Sequence, residues 1–132
     1  MNEFDDKLPV TTTYWKEKEI FYVKHTSFRV TMEEANAIAE LLKLSVRDED
    51  TEAIVIDNRE ANGVWTQEVN KIWDDVFAEV KDRKPKKYVT LTNSPVGAMQ
   101  INRISRSNGT EHLVKAFFNY AAGDVEAFIA AE

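Results

Sequence analysis

Apolar and polar residues recur along this chain with a period near two in some stretches and near 3.6 in others. The switches between the two periods mark the elements. From Val10 to Trp15 the run Val-Thr-Thr-Thr-Tyr-Trp is rich in β-branched and aromatic side chains and predicts a strand. Lys16-Glu17-Lys18-Glu19 reads as a charged turn. Ile20 to Phe28 reads as a second strand, with Phe21 and Val23 on one face and Ile20 and Tyr22 on the other. So short a separation predicts an antiparallel hairpin.

Thr31 followed three residues later by Glu34 is the signature of a capping box, in which each side chain satisfies a free backbone amide at a helix start. The helix behind it carries Ala35, Ile38, Leu41, Leu42 and Ser45 on one stripe and fades into the charged loop Arg47-Asp48-Glu49-Asp50. Ala53-Ile54-Val55-Ile56, ending in Asp57, is a continuous apolar run of the kind a strand buried on both faces requires. Val69, Ile72, Trp73, Val76, Phe77 and Val80 then recur at helical spacing. That helix ends in Lys81-Asp82-Arg83-Lys84-Pro85, basic where the helix dipole is negative and stopped by proline. Tyr88 to Thr92 predicts a fourth strand. Ser94 and Pro95 form a cap and a first-turn proline, opening a helix that runs through Ile101 and Ile104 and closes at Asn108-Gly109. Leu113 to Phe118 predicts a fifth strand, and Ala121 to Ala131 a short last helix with Val125, Phe128 and Ile129 inward.

The order is β-β-α-β-α-β-α-β-α. Single helices between strands imply parallel pairing through right-handed crossovers, so the expectation is one α/β domain over residues 1–132. Its five strands form a single mixed, mostly parallel sheet that begins with a β-hairpin, and the helices pack on it. The expected core holds Ile54, Val55, Ile56, Val89, Leu91, Ile72, Trp73, Val76 and Phe77. The polar, acidic beginning of the chain predicts a flexible arm over residues 1–9.

Composition narrows the function classes. Hydrophobic residues make up 43% and charged residues 30% of the chain, enough of each for a buried core and a solvated surface. A net charge of −6 argues against a general nucleic-acid binder, whose affinity comes from phosphate neutralisation. Without cysteine there is no disulfide framework, thiol nucleophile or zinc–thiolate site. No apolar run is long enough for a membrane span or a signal peptide, so the expected address is cytoplasmic.

Little chemistry is concentrated anywhere. His25 and His112 are the only histidines and carry no ligand-like spacing, and no metal or other cofactor is expected. Lys81, Arg83, Lys84, Lys86 and Lys87 form a basic stretch that reads either as a nucleic-acid patch or as a solvated helix end, and the second reading is preferred. Asn108-Gly109-Thr110 matches a glycosylation acceptor, but a helix C-cap explains it better. The loop from Asp57 to Thr66 is more informative. Open α/β sheets place ligands outside the carboxyl ends of their parallel strands, and this loop leaves such an end and delivers Thr66 to a helix start. A phosphate on Thr66 would meet free amides and a positive dipole end. The plainer reading makes Thr66 a helix cap and Trp65 a staple to the body.

Three stretches together resemble the STAS domains, the fold of the anti-sigma-factor antagonists, and within them the SpoIIAA-like branch. Phe28-Arg29-Val30-Thr31-Met32-Glu33-Glu34-Ala35 resembles the entry to the first helix, without the usual glycine. Ile54-Val55-Ile56-Asp57 resembles the third strand with its terminal Asp. Asn93-Ser94-Pro95-Val96, running to Asn108-Gly109, resembles the fourth-strand exit and its helix, and Val114-Lys115-Ala116-Phe117 completes the pattern. The resemblance spans about Thr11 to Ala130. In that family an Asp-Ser-Ser-Gly segment opens the second helix and a Ser in it is phosphorylated. The corresponding segment here is Trp65-Thr66-Gln67-Glu68, in which only Thr66 keeps a hydroxyl, so the usual phosphorylatable Ser is missing.

The resemblance implies a non-enzymatic regulatory module that binds a protein partner, such as a regulatory kinase or an anti-sigma-like protein. Homo-oligomerisation stays open. The expected binding surface joins the loop from Asp57 and Asn58 to Trp65 and Thr66 with Asn93 and Ser94 at the fourth-strand exit, and Trp65 is its natural aromatic anchor. The alternative is a small-molecule or lipid carrier, with Tyr14, Trp15, Phe21, Tyr22, Phe28, Phe117 and Phe118 lining a pocket. An enzyme using Asp57, Arg59 and Glu60 ranks third, because no nucleophile or cofactor motif accompanies them.

Overall fold

A computed structural model describes residues 5–82, 86–121 and 123–131. Two strands, β1 (Thr12–Glu17) and β2 (Ile20–His25), form the antiparallel hairpin, and helix α1 (Met32–Arg47) follows. Strand β3 (Ala53–Asp57), helix α2 (Gln67–Asp82), strand β4 (Lys87–Leu91), helix α3 (Pro95–Ser107), strand β5 (Val114–Phe117) and helix α4 (Asp124–Ala130) complete the chain. The strands lie in sequence order, with β2 to β5 all parallel. The expected architecture is the one observed.

This order explains where the helices lie. When parallel strands are added in one direction, right-handed crossovers put each connecting helix on the same face. Ile38, Leu42, Val76, Phe77 and Val80 of α1 and α2 accordingly pack with Val23, Ile54, Ile56, Tyr88 and Val114 of the sheet, and Ile104 of α3 joins them. Helix α4 follows the last strand and takes the opposite face, where Val125, Phe128 and Ile129 pack against Val55, Val89, Leu91 and Phe117. Both faces of β3 are therefore covered. That is why its apolar run does not alternate.

The local signals act as the sequence implies. Glu34 N–H donates to Thr31 Oγ1 at 3.0 Å and Thr31 N–H to Glu34 Oε1 at 2.8 Å, a complete capping box. Ser94 accepts from Gly97 N–H at 3.0 Å. A Cβ at position 97 would stand 3.3 Å from that serine's Cβ and Oγ, so glycine lets the cap close. Asn102 takes both the N–H and the carbonyl of Ala116, at 2.8 and 3.1 Å, and so tethers α3 to the edge strand β5.

Several boundaries differ from expectation. The hairpin strands run on to Glu17, leaving a two-residue turn of Lys18 and Glu19 in place of the four-residue turn. Lys18 takes a φ of +56° there, since no glycine is available for the left-handed position. Strand β2 ends at His25, because beyond it the chain leaves the ladder for a single bridge from Ser27 to Asn62. Ahead of the first strand, Leu8 packs against the core and Pro9 is buried. Ile72 and Trp73 are half-buried at the edge of the α2 stripe, while the other seven expected core residues are buried.

Candidate functional site

The strand order brings the exits of β3 and β4 side by side, with Asp57 opposite Leu91. Asn58 N–H donates to the carbonyl of Leu91 at 2.8 Å, and Asn93 Nδ2 donates to the carbonyl of Arg59 at 2.7 Å. The far side of the loop is tied to the chain after β2, where Phe28 N–H donates to the carbonyl of Asn62 at 3.0 Å. Asp57, Asn58, Asn93 and Ser94 are thus assembled at one end of the sheet.

The charges at this end are internally paired. Arg59 donates from Nε and Nη2 to the two carboxylate oxygens of Asp57, each at 2.9 Å, and from Nη1 to the Tyr120 hydroxyl at 3.2 Å. The Arg59 side chain is the main reason the Asp57 carboxyl sits below its ordinary value, against the opposing effect of burial. Glu60 pairs with Lys24. Such pairs near the surface contribute only about 0–1 kcal/mol each. Each of the three charged loop residues thus has an oppositely charged partner within the protein.

Thr66 is the exposed N-cap of α2: its Oγ1 accepts from Val69 N–H at 3.2 Å. Trp65 turns inward. Its ring lies 4.5 Å from Phe28, 5.3 Å from Trp73 and 5.4 Å from His25, so it clamps the loop to α2 and to the end of β2. Among the apolar side chains this end shows to solvent are its neighbour Val64, 80% exposed, and Val96 and Met99 on the first two turns of α3, 61% and 66% exposed.

Two solved structures superpose on nearly the whole chain. A crystal structure of an anti-sigma factor antagonist from Mycobacterium paratuberculosis matches with a TM-score of 0.59 and 16% identity, over 89% of this chain and 92% of that one. An anti-sigma-factor antagonist (STAS) domain protein from Planctomyces limnophilus matches with a TM-score of 0.57 and 14% identity, over 90% of this chain and 95% of that one. The chain has the STAS fold. No protein-family model and no curated protein matches it in sequence.

Within this STAS fold the other candidate residues are dispersed. His25 lies at the carboxyl end of β2, whereas His112 precedes β5 at the opposite end of the sheet. In the basic stretch Lys81 donates to the carbonyl of Asn108 at 3.0 Å and Lys87 to that of His112 at 2.8 Å, while buried Lys86 donates to the carbonyls of Asp48 and Thr51. Arg83, Lys84 and Pro85 lie outside the described residues. Asn108-Gly109 closes α3, with Gly109 at a φ of +70°. The aromatics of the carrier alternative divide between faces. Tyr14 and Phe21 pack on the α1–α2 side, and Tyr22 and Phe117 on the α4 side, as the period of two in a strand demands. No helix among the described residues is long and apolar enough to cross a membrane.

One feature of the STAS fold here had no sequence signal. Beneath the loop, between α2 and α3, lies a cavity of about 50 Å³ lined by His25, Asn58, Trp65, Trp73, Phe77 and Tyr88 among others. Asn58 Oδ1 and Trp73 Nε1 are buried there without a hydrogen-bond partner. An unmet buried polar atom costs about 1–3 kcal/mol. Burial lowers the His25 imidazole to about 4, so the ring is neutral, its Nδ1 2.9 Å from Thr12 Oγ1.

Proposed function

We propose that this STAS-fold protein is a non-enzymatic interaction module that docks a protein partner at the carboxyl ends of β3 and β4. The observation that carries the reading is the exposure of Val64, Val96 and Met99 on two connections that Asn93 and Arg59 hold together. Apolar side chains offered to water on a rigid rim supply the buried centre of an interface, while the paired charges around them supply its polar edge. In this reading Trp65 holds the loop in shape, and Asp57, Asn58, Asn93 and Ser94 fix the relative position of the two connections. The two structural neighbours are named as anti-sigma factor antagonists, which supports a partner of the anti-sigma or regulatory-kinase type. Thr66 stands in place of the usual phosphorylatable Ser and acts first as a cap.

The test places a photo-crosslinking amino acid at position 64 or 99 in the native cell. The same partner should be captured from both positions and not from position 15, whose side chain stacks on Tyr22 on the α4 side of the sheet. Val64→Asp and Met99→Asp should abolish capture while changing stability by no more than about 0.5 kcal/mol, as exposed substitutions do. Partner binding that survives both substitutions would overturn the reading.

A further inference from the structure

The cavity between α2 and α3 combines two unpaired polar atoms of opposite sense, the acceptor Asn58 Oδ1 and the donor Trp73 Nε1–H. Asn58 is 5% exposed, and its backbone is fixed by the bond to Leu91, so its side chain cannot swing out to bulk water without disturbing the β3 exit. Flat or apolar side chains, among them Trp65, Phe77, Tyr88 and Ile104, make up much of the rest, and Asn70 and Thr90 add polar groups to the lining. The one carboxylate on the lining, Asp74, belongs to an exposed residue. Ions are disfavoured inside because burial costs them their hydration, the same effect that lowers the His25 imidazole and raises the Tyr88 phenol. A volume of about 50 Å³, at about 10–15 Å³ per water-sized group, holds about three to five heavy atoms.

We propose that this cavity is a binding site for a neutral carboxamide-type group, a flat unit carrying an N–H beside a C=O on a small molecule. The N–H donates to Asn58 Oδ1, and the C=O accepts from Trp73 Nε1–H. A hydrocarbon of the same shape leaves both protein atoms unpaired, and an ion pays desolvation without a counter-charge. A site that satisfies both atoms at once therefore selects for the amide pattern.

Three probes of equal heavy-atom count separate the possibilities: acetamide, acetone and acetate. In ¹H–¹⁵N spectra of the full chain, acetamide should move the Trp73 indole N–H saturably, with a dissociation constant in the millimolar range, ~1–100 mM, as about four heavy atoms allow. Acetone, which lacks the N–H, should bind about tenfold more weakly, and acetate should leave the signal unmoved. The Trp15 indole, on the other face of the sheet, serves as the control. Asn58→Leu should erase the preference of acetamide over acetone. Ile104→Phe, which enlarges a side chain on the α3 wall and leaves Asn58 and Trp73 in place, should abolish all binding in a chain whose circular dichroism confirms folding, and it serves alone if Asn58→Leu does not fold. Equal responses to the three probes, no response in the folded protein, or a crystal soaked in acetamide that shows only ordered waters between Asn58 and Trp73 would each overturn the proposal.

Discussion

His25 makes the stability of this protein depend on pH in a window that no other shifted group among the described residues shares. Its side chain is 1% exposed, at the end of β2 beneath Trp65, and burial lowers it from 6.5 to about 4. Above the unfolded value the ring is neutral in both states, and its full contribution to stability is present. As the pH falls below 6.5 the unfolded chain takes up a proton that the folded chain refuses. Stability is then lost at up to about 1.4 kcal/mol per pH unit, until the folded ring also protonates near 4. The total is about 3 kcal/mol, a large part of the roughly 5–15 kcal/mol typical of a domain. Asp48 and Asp57, both held below their ordinary values, lose their contributions only as the pH falls below about 3.8. Urea unfolding between about pH 7.5 and 4.5 therefore isolates the histidine. The wild-type curve should fall steeply, and that of His25→Gln should be nearly flat, whatever its absolute stability. Parallel curves, or a folded-state His25 titration midpoint near 6.5 in NMR, would refute the argument.

Three further outcomes are expected. Phe77→Ala, which removes a buried ring 5.2 Å from Tyr88, should cost about 3–5 kcal/mol in chemical unfolding. Lys18→Gly should relieve the left-handed backbone at the hairpin turn and raise stability by about 0.5–1 kcal/mol; a loss would show that the side chain contributes more than the strain costs. Thr66→Ala should cost about 0.5–2 kcal/mol by uncapping α2, whereas Thr66→Glu keeps a favourable charge at the helix start. If Thr66→Glu also loses the partner while remaining folded, Thr66 is a switch; unchanged affinity in it, beside a destabilised Thr66→Ala, leaves Thr66 a cap alone.

The elements legible in the sequence are those whose determinants lie within a few residues of one another. Thr31 and Glu34 are one turn apart, Ser94 caps the next turn, and the stripe from Val69 to Val80 repeats every turn. The β1–β2 register has no such local source. It is set by pairing Thr12 with His25 and Tyr14 with Val23 across the ladder, which pushes the turn to Lys18 although the local composition favours an earlier one. The same distinction holds at the site. That the β3 and β4 exits meet follows from the order of helices and strands alone. The orientation of Trp65 does not, because it depends on His25 and Phe28 at the end of β2 and on Trp73 in α2, which are far apart in the chain.

Size and chemistry make Trp65 the natural binding anchor in the sequence and Val64 an unremarked neighbour. The backbone reverses their roles. Asn62 is bonded to the chain after β2, and Gly63 follows at a φ of +92°, in the left-handed region that glycine adopts freely. That path carries the larger ring into the space above the cavity and leaves the smaller valine in solvent. A side chain at position 63 would meet no neighbour, but this φ would strain it. Which of two adjacent apolar residues is available to a partner thus follows from a backbone path that glycine eases and from the rings that receive Trp65, and side-chain hydrophobicity encodes neither.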